Sequence, residues 1–131
     1  MNTNQKIALL IPSKNRIERL RLMIDSALRT SANPSNLEFL IYFDFDEKVS
    51  PGELSSDNVR IVYGSKMWLT LMWNSLISHT NAEYLMYAAD DIEFKTNNWD
   101  KIFIEEIEKF TNKFGLVYAD RKSTRLNSSH A

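Results

Sequence analysis

Between Glu83 and Phe94 the chain reads EYLMYAADDIEF, an apolar run that stops at two adjacent carboxylates, Asp90 and Asp91. Tyr84, Leu85, Met86 and Tyr87 fit a strand buried on both faces, because a parallel strand under helices has no solvent face to mark with polar alternation. The acids then fall at its carboxyl end, the edge of an open α/β sheet where ligands bind. Two unit charges about 6 Å apart repel by roughly 3 kcal/mol at an effective dielectric of about 20. Such a pair calls for a cation or a proton.

Two further runs share this character. Lys6 to Ile11 is a solid apolar strand closed by Pro12, which has no N–H to give a ladder, and Phe39 to Phe43 is a second buried strand. Between them Asn15 and Glu18 have capping-box spacing, and Ile17, Leu20, Met23, Ile24, Ala27 and Leu28 recur at helical intervals. Arg16, Arg19, Arg21 and Arg29 fall mostly on the opposite face, and the helix ends in a loop around Pro34. A strand, helix and strand of these lengths imply parallel pairing through a right-handed crossover. A polar stretch with Pro51-Gly52 leads to a third short strand, Val59 to Tyr63. Met67 to Ile77 is apolar nearly all round and is expected as a buried helix, too short to span a bilayer. After Asn97-Asn98, the residues Trp99, Ile102, Phe103, Ile107 and Phe110 predict an amphipathic helix, and Gly115 to Tyr118 starts a fifth strand.

Composition narrows the chemistry. With 131 residues, 44% of them hydrophobic, the chain is one domain or part of one and buries about two-thirds of its unfolded surface. A net charge of −1 provides no basic field for nucleic acid or an anionic membrane. The absence of cysteine excludes disulfides and thiolate metal sites, and with two histidines any metal is held mainly by oxygen, which favours Mg²⁺ or Mn²⁺. Ile7 to Ile11 is too short for a signal or a membrane span, so a cytoplasmic protein is the default expectation.

The last residues have a different origin on this reading. Residues 120–130, DRKSTRLNSSH, back-translate in one frame with ordinary codons to a sequence that resembles a common short-read sequencing adapter. Residues 1–119 are therefore expected to be the native part, the start of a longer reading frame, and residues 120–131 a non-native tail.

Three polar clusters follow strands: Pro12-Ser13-Lys14-Asn15-Arg16 after the first, Asp44 to Glu47 after the second, and Asp90-Asp91 after the fourth. In this order, with an Asn in MWNSLI on the intervening helix, they resemble the family 2 glycosyltransferases, whose first strand ends in a Pro-Thr-Tyr-Asn-Arg-like turn and whose fourth ends in an Asp-any-Asp motif. The resemblance spans about Ile7 to Ala119. It implies an α/β, three-layer αβα Rossmann-like half-domain of the GT-A type, with a mostly parallel sheet in the order 3-2-1-4. It further implies a nucleotide-sugar donor, transfer to an unknown acceptor, and Mg²⁺ or Mn²⁺. By position, Asp44 corresponds to the acid that reads a base imino group, Asp91 to the metal ligand, and Asp90 to the acid that contacts ribose or sugar hydroxyls. Pro12, Ser13, Lys14, Arg16 and Lys66 complete the expected donor-binding set.

Ala89 stands where the motif has its first acid, and Lys14 replaces the usual base-stacking aromatic and is suited to a phosphate as a point charge. The catalytic base of inverting members lies downstream of the residues matched, so no catalytic residue is nominated and residues 1–131 alone are expected to be inactive. Two other classes compete. Asp44-Phe45-Asp46 is similar to a haloacid-dehalogenase-type phosphoryl-transfer motif, but no Thr follows and that motif closes a first strand. A non-catalytic nucleotide- or sugar-binding domain would use the same edge. Away from it, Asp46 and Glu47 read as solvated loop charges, Asn74 as a hydrogen-bonded structural group in a buried helix, Trp68, Trp73 and Trp99 as packing residues, and His79 as a helix cap.

Overall fold

The computed structural model describes residues 6–46, 54, 58–109, 116–119 and 126–129. Its centre is a sheet of β1 (Ile7–Pro12), β2 (Leu37–Asp44), β3 (Val59–Gly64) and β4 (Tyr84–Tyr87), all parallel and ordered β3-β2-β1-β4. Helix α1 (Ile17–Thr30) joins β1 to β2, α2 (Leu69–Ile77) joins β3 to β4, and α3 (Trp99–Glu108) follows β4. The α/β architecture and the strand order agree with the sequence expectation.

Alternation along β1 divides the core in two. Ile7, Leu9 and Ile11 pack with Leu20, Met23 and Ala27 of α1 and with Trp99, Phe103 and Ile107 of α3. Ala8 and Leu10 face the other way, with Leu40, Tyr42 and Leu76 of α2. Helices α1 and α2 thus cover opposite faces while their crossovers run in opposite directions along the sheet, which gives both connections the same hand. β1 and β2 lie between the two layers and are buried almost throughout, as solid apolar runs require.

Two expectations fail for one reason. β4 is an edge strand, and on the α2 face Leu85 and Tyr87 remain exposed. Helix α2 is buried only at Leu76, with Leu69 and Leu71 exposed and Trp68, its N-cap, 82% exposed. Asn74 is also exposed rather than a buried polar group. Helix α2 packs mainly on β1 and β2 and meets β4 through Trp73 on Tyr87, and among the described residues nothing covers its outer side at Trp68, Leu69 and Leu71. Trp73 and Trp99 do pack: Trp73 donates Nε1–H to Leu10 O at 3.0 Å and stacks on Tyr87, and Trp99 donates to Ala27 O at 3.0 Å.

The N-cap of α1 is not the Asn15 that the capping-box spacing implied. Arg16 is the N-cap of α1 without a side-chain cap bond, and Asn15 turns the chain at φ 53°, a left-handed conformation that asparagine tolerates. Asn98 does the same at φ 61° before α3. His79 does close α2, with Nδ1 3.0 Å from Ser75 O. β5 (Leu116–Ala119) lies where a fifth strand was expected but pairs antiparallel with β6 (Leu126–Ser129), inside the stretch read as tail, in a sheet of its own. Glu47, Pro51, Gly52, Phe110 and Gly115 lie outside the described residues. No helix among the described residues is long and apolar enough to cross a membrane.

Candidate functional site

Pro12 shapes the carboxyl edge. Ala88 N–H donates to Leu10 O at 3.0 Å, and Ser13 N–H to Tyr42 O at 3.0 Å. In a parallel ladder, alternate residues face alternate neighbours, so the nitrogen of Pro12 faces Ala88. Having no proton, it cannot extend the β1–β4 pairing past Ala88. β1 and β4 part there, at the point where strand order reverses, the usual place for a ligand crevice in such sheets.

Side chains bridge this parting. Ser13 Oγ–H donates to Asp90 Oδ2 at 2.8 Å, and Arg16 Nη1–H reaches Asp90 Oδ1 at 3.4 Å. One strand over, the Lys14 ammonium lies 3.3 Å from Asp44 Oδ2, while Asp44 Oδ1 accepts the Asp46 N–H at 2.9 Å. Asp44 and Asp90 are buried, 4% and 6% exposed. Their cationic partners are on the surface, so each pair joins a buried carboxylate to a solvated cationic head. Asp91 faces solvent and makes no hydrogen bond or ion pair among the described residues.

Five of the expected residues, Ser13, Lys14, Arg16, Asp44 and Asp90, therefore meet at the ends of β1, β2 and β4, with Pro12 setting the gap. Lys66 is exposed on the β3–α2 loop and joins no ion pair with them. That loop is held from below. Tyr42 O–H donates to Ser65 O at 2.5 Å, and its ring lies against Gly64, where an added Cβ would be 2.2 Å from the Tyr42 oxygen. Phe45 is exposed beside Asp44, past the strand end in a turn, where the sequence placed it.

A metal is tested by this donor set. Among the described residues no three His, Cys, Asp or Glu side chains are grouped to hold an ion, and Asp90 is already engaged on both oxygens. Asp91 alone fits a Mg²⁺ or Mn²⁺ carried by a diphosphate, since such ions keep several waters and take one or two carboxylates plus phosphate oxygens. Among the described residues a free-standing metal site does not fit.

Sequence reasoning missed Asp100. Buried in the first turn of α3, it accepts the Ala32 N–H at 2.6 Å and the Asn33 N–H at 2.9 Å from the α1–β2 loop. With Asn98 N–H to Thr30 O at 2.6 Å and Phe94 N–H to Ser26 Oγ at 2.9 Å, it fastens the segment after Asp91 to α1. An Asp just after Asn97-Asn98 was the available signal.

A groove of about 480 Å³ lies elsewhere, lined by Asn33, Lys101, Ile104, Glu105, Glu108 and Lys109. It mixes charges of both signs and contains none of the strand-end residues, so the chemistry favours the carboxyl edge over this groove. Compared with known proteins, the chain matches no family model and no curated protein.

Proposed function

We propose that this chain forms the donor-binding part of a glycosyltransferase of the family 2 kind, holding a nucleoside diphosphate sugar at the carboxyl edge of its parallel sheet. The observation that carries the reading is the convergence of Ser13, Lys14, Arg16, Asp44 and Asp90 where β1 and β4 part, with Asp91 left facing solvent. Lys14 and Arg16 offer positive charge and unused N–H groups to the diphosphate. Lys66 adds a third cation from the neighbouring loop. Asp44, buried with both oxygens engaged, anchors Lys14 rather than reading a base N–H, and Phe45, exposed beside it, offers an aromatic face that Lys14 does not. Asp91 is the free carboxylate for Mg²⁺ or Mn²⁺ arriving with the nucleotide. When bound, such an ion supplies Lewis-acid stabilisation of the charge on a leaving diphosphate.

The burial of Asp44 and the occupation of both its oxygens weigh against an aspartyl nucleophile of the phosphoryl-transfer kind. The acceptor and any catalytic base are not assigned to these residues. Calorimetric titration with uridine, guanosine and adenosine diphosphates, with and without Mn²⁺, tests the proposal. It predicts binding of at least one that needs Mn²⁺ and weakens at least tenfold in Asp91→Ala. Nucleotide binding indifferent to metal, or no binding by the wild-type chain, overturns it.

A further inference from the structure

We infer that Asp90 is a positioning residue, which sets the Arg16 guanidinium for a diphosphate, and not a ligand of ribose or sugar hydroxyls. The inference rests on the nucleotide reading above and changes the role of one residue in it. Asp90 is 6% exposed, and each of its oxygens already accepts from the β1–α1 turn: Oδ2 from Ser13 Oγ–H at 2.8 Å, Oδ1 from Arg16 Nη1–H at 3.4 Å. Both partners lie more than seventy residues away in sequence, and the backbone on either side is pinned by Ala88 N–H to Leu10 O and Ser13 N–H to Tyr42 O. The carboxylate is therefore turned inward, across the gap between β1 and β4. A hydroxyl ligand needs lone pairs that face solvent, and in this pair of acids the side chain that faces solvent is Asp91.

Arg16 is oriented the other way. Its side chain is 58% exposed while Nη1 is tied to Asp90, so most of its five N–H donors remain for phosphate oxygens. It is also the N-cap of α1, where a lone guanidinium is disfavoured by the positive end of the helix and a carboxylate is favoured. Asp90 offsets that disfavour and holds a flexible side chain in place before a ligand arrives, which reduces the ordering cost of binding. Ser13 completes the device by fixing the other oxygen.

The test compares wild-type chain, Asp90→Asn, Arg16→Ala and the double variant, each checked for folding by circular dichroism. They are titrated in Mn²⁺ with the tightest-binding nucleoside diphosphate, its 2′,3′-dideoxy form and the parent nucleoside. Asp90→Asn is expected to weaken the diphosphate about tenfold, the scale of one charge-assisted hydrogen bond, and the nucleoside less than twofold. The double variant should bind no worse than Arg16→Ala within about twofold, since Asp90 acts through Arg16. The dideoxy nucleotide should lose as much affinity in Asp90→Asn as in the wild type. If the Asp90→Asn effect instead vanishes with the dideoxy nucleotide, or multiplies with that of Arg16→Ala, Asp90 touches the ribose and the inference fails while the nucleotide reading stands. Failure of the wild-type chain to bind any nucleoside diphosphate overturns both. If Asp90→Asn does not fold, Ser13→Ala, which frees one Asp90 oxygen, takes its place, and the same two outcomes decide.

Discussion

Replacing Asp100 by alanine should destabilise the protein more than any other single change of an acidic residue on α3. The carboxylate is buried and accepts two backbone N–H groups, from Ala32 at 2.6 Å and Asn33 at 2.9 Å. Hydrogen bonds to a charged acceptor contribute about 1.5–3 kcal/mol each. The donors sit in an exposed loop, so water recovers part of the loss, and with the smaller added loss of a favourably placed acid in the first helical turn the total comes to about 3 kcal/mol. Against a domain stability of roughly 5–15 kcal/mol this is a large fraction. At about 4 °C per kcal/mol for a chain of this size, the midpoint of thermal unfolding should fall by about 12 °C. Asp100→Asn keeps one acceptor oxygen and should lose about half as much. Asp25→Ala, at an exposed position of α1, should stay within about 0.5 kcal/mol of wild type. Urea unfolding followed by circular dichroism measures all three. An Asp100→Ala variant within 0.5 kcal/mol of wild type would refute the claim that this carboxylate fastens α3 to the α1–β2 loop.

Gly64→Ala places a Cβ 2.2 Å from the Tyr42 oxygen and 2.8 Å from its ring, which must displace the tyrosine and its bond to Ser65 O. Urea unfolding should show a loss of about 1–3 kcal/mol, the usual cost of overpacking, and the double change with Tyr42→Phe should recover part of it. Trp73→Phe keeps an aromatic face against Tyr87 but removes the Nε1–H bond to Leu10 O; a loss of about 1 kcal/mol in the same assay is expected, and no loss would mean that the indole bond does not hold α2 to β1.

The parts of the fold legible in sequence were those written into uninterrupted apolar runs. Ile7 to Ile11 and Phe39 to Phe43 belong to strands covered on both sides, where burial alone dictates composition. The same rule misled at Tyr84 to Tyr87 and along α2, because an apolar run records what a surface is able to bury, not whether something lies against it. Leu85, Tyr87, Trp68, Leu69 and Leu71 are exposed for that reason. Asn15 misled differently. Its spacing to Glu18 suits a cap, but asparagine also suits a left-handed turn, and here the turn prevails and the cap moves to Arg16.

At the site, the meeting of three strand ends followed from topology once the strands were placed. The division of labour between Asp90 and Asp91 did not. Adjacent residues past a strand end point in different directions, and which one turns inward is decided by Ser13 and Arg16, far away in sequence. Asp100 was hidden for a related reason: a first-turn acid is ordinary on a solvated helix, and only the docking of α3 against the α1–β2 loop buries it.

The central claim is that the carboxyl edge of the sheet, and not the groove on α3, receives a metal-bound nucleotide. Paramagnetic broadening of assigned amide signals by Mn²⁺ with a nucleoside diphosphate tests it directly. The account predicts selective broadening of residues 13–16, 44–46 and 90–91 that requires the nucleotide and disappears in Asp91→Ala. Broadening centred on Asn33 and residues 101–109, or the same pattern with Mn²⁺ alone, would contradict it.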